Sequence, residues 1–233
     1  MHLGDNGAAA NARGPGELAP HLWVQANHDL RQPLQALVFM VRSLARGGDP
    51  AKVQETASYM EAALGGLQTK LDLLTELSRL ECGAKVPTLR PCALAPMCQQ
   101  VLPALTSIAA GHDITVRSRL FDANVLSDAQ LLGLLVRSLA LNAIKFASRG
   151  AVLMATRRHR QKINLDFYFG GPVIGEQQQK AAFVNVSPRD GAGVELGLGL
   201  GFIAHLARNL DHDVACKTLL EEGVCLSLAM PLA

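Results

Sequence analysis

Near the N-terminus, apolar residues recur in alternating steps of four and three. Leu30, Leu34, Leu37, Val41 and Leu44 form one such stripe, and Trp23 extends it backwards. This is the spacing of a helix that lays one face against another helix. It predicts a helix over about 18–45, broken by Arg46-Gly47-Gly48. Asp49 then stands as an N-cap with Pro50 at the first helical position. A second stripe, Val53, Ala57, Met60, Leu64, Leu67, Leu71 and Leu74, keeps the same steps towards Gly83. Gly65-Gly66 lies inside it at about 1 kcal/mol per glycine relative to alanine, and nothing in the pattern accounts for the pair. Two such helices cannot bury both stripes alone. Two hairpins paired as a four-helix bundle can, which implies a homodimer.

Beyond residue 84 the pattern changes. Residues 84–92 are interrupted by proline and read as a linker leading into a strand. Helices are expected over Pro96 to Ala110 and Leu196 to Leu210. Ser127-Asp128-Ala129-Gln130 reads as a capping box opening a third helix that runs to about Ala147. Strands are expected at Ile114 to Ser118, Val152 to Arg158, Lys162 to Phe169, Asp213 to Leu219 and Val224 to Met230. Gly170 to Glu195 shows no sustained period and reads as a loop. The chain is thus α+β: a tail over 1–18, a helical hairpin over 19–83, a linker over 84–92 and an α/β sandwich over 93–233.

Composition changes this picture little. The chain has 233 residues, 49% of them hydrophobic and 18% charged, enough for a core without disulfides. A net charge of +2 with no outstanding basic run gives no case for nucleic acid. Five cysteines without Cys-x-x-Cys spacing read as buried, reduced thiols, and with no secretory signal they suggest a cytoplasmic protein. The most apolar stretch, Leu131 to Ile144, carries Arg137 and reads as too short to span a membrane, so no membrane sensor is expected in this chain. No His/Cys/Asp/Glu grouping has metal-ligand spacing.

The chemistry sits on the first helix. In Asn27-His28-Asp29-Leu30-Arg31-Gln32-Pro33-Leu34, His28 lies beside the stripe, at the edge of a bundle and within reach of solvent. An imidazole there is largely uncharged near neutral pH and is a competent nucleophile. The octapeptide resembles the H-box of sensor histidine kinases. The resemblance implies that His28 accepts the phosphoryl group and that Asp29 orients the ring and takes its proton. Gln32 would position water for dephosphorylating the partner, and Pro33 would bend the helix.

The second half is similar to the ATP-binding domain of the same family. Asn142-Ala143-Ile144-Lys145-Phe146 matches the N-box, which implies that Asn142 ligates Mg²⁺ and that Lys145 lies near the phosphates. Gly197-Leu198-Gly199-Leu200 matches the G2 box, where Gly197 and Gly199 would let backbone approach phosphate. Local readings stand beside these. Asn142 could hydrogen-bond within its own helix, and the two glycines could serve helix–sheet packing alone. Four positions depart from the family. Ser138 replaces an N-box asparagine, and Glu195 puts a negative charge near the phosphates. Phe169 stands where the G1 aspartate reads adenine, and Val173 where a G1 glycine is expected. One lost charge-assisted hydrogen bond is worth about 1.5–3 kcal/mol, so Mg-ATP is expected to bind weakly or not at all.

The sequence thus reads as a two-component signalling protein, a histidine phosphotransferase derived from a sensor histidine kinase. It would exchange phosphoryl between His28 and the aspartate of a response-regulator receiver domain. An autokinase with a weak nucleotide site, and a non-catalytic pseudokinase regulator that binds a receiver or a kinase, are the alternatives.

Overall fold

A computed structural model describes residues 20–47, 49–148, 150–171, 199–219 and 223–233; the side chains of residues 20–26, 28 and 29 lie outside the described set. Helices α1 (Pro20–Ala45) and α2 (Pro50–Glu81) form the expected hairpin. The cap that opens α2 is the expected one: the Asp49 carboxylate accepts from the Ala51 N–H, and Pro50 occupies the first turn. Pro33 lies inside α1, where it has no N–H to give the preceding turn. The stripe residues Leu34, Val41, Leu64 and Leu71 remain about half exposed on this single chain. Leu37 differs: it is buried within the hairpin itself.

The remaining elements are β1 (Arg90–Ala93), α3 (Leu94–Ala110), β2 (Ile114–Arg119), β3 (Asn124–Ser127), α4 (Ala129–Phe146), β4 (Gly150–His159), β5 (Lys162–Gly170), α5 (Gly199–Asn209), β6 (Asp213–Leu219) and β7 (Gly223–Pro231). Five strands form one sheet in the order β2-β4-β5-β7-β6, with only the β2–β4 pair parallel. Alternate residues, such as Ile163, Leu165 and Phe167 on β5 and Leu226 and Leu228 on β7, are buried against the helices. On the opposite face the buried Asp166 carboxylate accepts from Ser227, Tyr168 and Arg157, joining three strands.

Two strands form a separate pair, β1 against β3, and β3 is absent from the sequence reading. Its four residues are too short a run to show a period. Ser127 ends this strand and does not cap α4. Its hydroxyl lies 2.8 Å from Nε2 of the buried His212, and Asp128 caps α4 in its place, accepting from Gln130 and Leu131. Helix α4, the apolar run read as short, extends to 18 residues, and length and hydropathy alone would let it cross a membrane. Its apolarity is accounted for by the core: Leu131, Leu132, Leu135, Val136 and Leu139 are fully buried.

The segment between hairpin and sandwich is tied at both ends. Leu73 and Leu77 of α2 enter the sandwich core. Lys85 Nζ lies 2.6 Å from the buried Glu76 carboxylate and 3.0 Å from Gln130 of α4, and Glu76 also accepts from Arg79. The Thr88 N–H donates to Asp128. Burial pushes the Asp128 carboxyl up, but the N–H donors of Thr88, Leu131 and Gln130, together with the Lys85 charge, hold it below its ordinary value.

Candidate functional site

Helix α2 carries two stripes rather than one. Beside the bundle stripe runs a second, Tyr59, Ala63, Gly66, Lys70, Leu73 and Leu77, offset by one residue and again in steps of four and three. This second stripe faces the sandwich. Together with α1, α3 and α4 it lines a half-open cavity of about 480 Å³. Gln32 and Pro33 line it from α1, Ile108 and His112 from α3, and Ser138, Asn142 and Lys145 from α4. The H-box helix and the N-box helix therefore look into one space, and Gln32, one turn beyond His28, shares it with the expected Mg²⁺ ligand and phosphate-side lysine.

Within that space Asn142 donates its side-chain N–H to the Ser138 carbonyl at 2.8 Å, which is the local bond weighed above. Its side-chain oxygen can still accept a hydrogen bond. Lys145 is exposed, with its ammonium 5.5 Å from the Phe146 ring centre. Ser138 is buried, and its hydroxyl has no partner among the described residues. Phe169, at the G1 position, is 4% exposed and belongs to the sandwich core. A Cβ at Gly171 would meet the Phe146 carbonyl at 3.2 Å and the Phe169 ring at 3.5 Å, so the chain following the ring is tightly placed.

Other expected site residues stand apart. The backbone of His28 and Asp29 lies in α1, and their side chains are outside the described set. Val173, Glu195 and Gly197 are outside the described residues altogether. Gly199 is the first residue of α5 and is not among the cavity residues.

Two features escaped the sequence reading. The tie from Glu76 to Lys85 gave no local signal, because its partners are nine residues apart and belong to different elements. The β4–β5 turn carries Arg157, Arg158, His159 and Arg160, all exposed, a basic cluster that the near-neutral net charge hid. Cysteine burial is also not uniform: Cys92, Cys98, Cys216 and Cys225 are buried, but Cys82 is exposed.

No family model matches the chain. It is 26% identical over 212 residues to the sensor-like histidine kinase SenX3 of Mycobacterium tuberculosis, covering 88% of this chain and 52% of that protein. It is 25% identical over 206 residues to the sensor protein CreC of Escherichia coli, covering 87% of this chain and 43% of that protein. Its homologues are sensor histidine kinases. The chain spans about half the length of the curated relatives it matches. Among solved structures, the Acinetobacter baumannii histidine kinase AdeS superimposes with a TM-score of 0.60 at 16% identity, covering 88% of this chain and 98% of that one. The histidine kinase ThkA, in complex with the response regulator protein TrrA, gives 0.61 at 17% identity, covering 92% of this chain and 62% of that one. At such identities the likeness shows the fold: a kinase-type hairpin followed by an ATPase-type sandwich. The segment that resembles the H-box lies on α1 and the segment that resembles the N-box lies on α4.

Proposed function

We propose that this chain is a two-component histidine phosphotransferase, built on the kinase fold and exchanging a phosphoryl group between His28 and the aspartate of a receiver domain. The observation that carries this reading is Phe169, buried in the core at the position where the family reads adenine with a carboxylate. A phenyl ring accepts no hydrogen bond from an amino group, and a core position does not hold a free carboxylate. The adenine end thus does not fit a nucleotide. Asn142 and Lys145 suit the phosphate end of Mg-ATP, an amide oxygen being a ligand for a hard cation.

The transfer needs little from this chain. The imidazole lone pair of His28 attacks the phosphorus of the receiver's aspartyl phosphate in line, the P–O bond breaks, and the receiver carboxylate leaves with the electron pair. Asp29 takes the ring proton. The hairpin supplies position. The half-exposed Leu34, Val41, Leu64 and Leu71 support a homodimer, in which a second hairpin covers them. We place the protein in the cytoplasm, with neither nucleic acid nor membrane as partner. A second reading, the autokinase, is favoured by one fact: Gln32 of the H-box helix lines the same cavity as Asn142 and Lys145.

The test is incubation with a phosphorylated receiver. The wild type should acquire a label stable in base and labile in acid, and His28→Gln should acquire none. Label persisting in His28→Gln would assign the nucleophile elsewhere. Titration calorimetry with Mg-ATP separates the two readings: a low-micromolar dissociation constant restores the autokinase, and a millimolar one leaves the phosphotransferase.

A further inference from the structure

Gly66 sits inside the unbroken helix α2 for no reason internal to the helix, and its surroundings supply one. It lines the cavity of about 480 Å³, and a Cβ added there would meet no atom within 4 Å. Other lining residues are small as well, Ala36 on α1 and Ala62 and Ala63 on α2 itself. Small-molecule sites occupy roughly 300–1,000 Å³, and this volume falls among them. The space is a half-open cleft between the hairpin and α4, so a ligand can reach it from solvent.

An independent observation is polar. Ser138 is 5% exposed, lines the cavity, and has a hydroxyl with no hydrogen-bond partner among the described residues. Buried hydroxyls are normally partnered. Asn142, one turn on, keeps its side-chain oxygen free for a donor, since its N–H is already given to the Ser138 carbonyl. Lys145, one turn further, is exposed and makes no ion pair among the described residues. Hydroxyl, amide and ammonium thus follow one another along one face of α4, opposite a wall that includes Met40, Leu67 and Leu73.

We propose that this cavity binds a small amphipathic anion, an aromatic or aliphatic carboxylate. Its apolar body fills the space beside Gly66, and its polar edge runs along Ser138, Asn142 and Lys145. Such a ligand touches the phospho-acceptor helix on one side and the sandwich on the other, so it favours the arrangement in which both are in place. The proposal goes beyond the phosphoryl-transfer reading and does not depend on it.

The test is calorimetric titration of the full chain with 2-naphthoate in the absence of any phosphoryl donor. One site per chain is expected. Gly66→Leu should weaken it at least about tenfold, equivalent to ~1.4 kcal/mol. Gly65→Leu, which makes the same change in helix propensity at a residue that does not line the cavity, should leave it intact. Thermal melts show whether both variants fold. Lys145→Gln gives a second arm that leaves the core untouched: it should weaken 2-naphthoate several-fold and leave the uncharged 2-naphthylmethanol unchanged. Absence of saturable binding, or equal binding by the two glycine variants, overturns the proposal. Mg-ADP binding that is lost in Gly66→Leu, with no naphthoate binding, also overturns it and assigns the cavity to nucleotide. Because no phosphoryl group is present, failure here is distinguishable from failure of transfer to His28.

Discussion

The two faces of α2 bury the same kind of residue in opposite ways. Leu77 is fully buried in the sandwich core, whereas Leu64 and Leu71, on the bundle stripe, remain 50% and 47% exposed. All three are leucines on stripes of the same helical spacing, offset by one residue, and the spacing does not say which stripe is covered. Periodicity marks a face as apolar; it does not say whether the cover comes from the same chain or from another. In this protein the answer changes across one helix, from the sandwich on the face of Leu73 and Leu77 to an open stripe on the face of Leu64 and Leu71.

The largest expected effect tests that contrast directly. Leu77→Ala should cost about 2–5 kcal/mol, as core truncations do. Leu71→Ala, measured in dilute solution by urea unfolding, should cost less than about 1 kcal/mol. Equal costs would mean that the stripe at Leu71 is already covered within the monomer. Leu71→Glu sharpens the same point: sedimentation should show monomers while the sandwich stays folded, because the charge would be buried only in a second copy.

A smaller effect is expected at the joint. Glu76→Ala removes the shared acceptor of Lys85 and Arg79. It should cost about 1.5–3 kcal/mol, read as a common shift in the unfolding of hairpin and sandwich. Two separate transitions, with only the hairpin moved, would show that the tie does not couple them.

The smallest effect depends on pH. Burial holds the His212 imidazole below its ordinary value, against the pull of Asp211 and Asp213, so the folded chain keeps the ring neutral where the unfolded chain protonates it. Its contribution is therefore complete above the unfolded value of about 6.5 and declines as pH falls through that value towards the folded one, by up to ~1.4 kcal/mol per pH unit. His205 is shifted in the same direction, so the informative quantity is the difference between wild type and His212→Gln. Melting temperatures from pH 7.5 to 5.5 should fall more steeply for the wild type. Parallel curves would show that the ring is not held neutral.

Much of this architecture is legible in the sequence, and the illegible part has physical causes. The hairpin, the Asp49 cap and the strands from β4 onward follow from period and capping chemistry, which are local. Asp128 took the cap expected of the Ser127 box because Ser127 is held in β3 by partners about 35 and 85 residues distant. The meeting of Gln32 with Asn142 and Lys145 depends on how the second stripe of α2 packs against α4. That stripe was visible, offset by one residue, but small residues such as Ala63 and Gly66 carry too little apolar weight to announce a face. Phe169 reads in the sequence as a departure from the family; that its ring lies in the core required the fold.

The uneven cysteines give the protein a built-in handle. Burial pushes Cys98 and Cys225 up to about 12 and Cys216 to about 11, and Cys92 is raised as well, so these four hold little thiolate at neutral pH. Cys82 is exposed at the C-cap of α2, where the hairpin passes into the sandwich. A maleimide dye added to the unmodified chain near pH 7 will therefore report on that junction from a single position. Movement of the hairpin relative to the sandwich becomes an optical signal without the removal of any native residue.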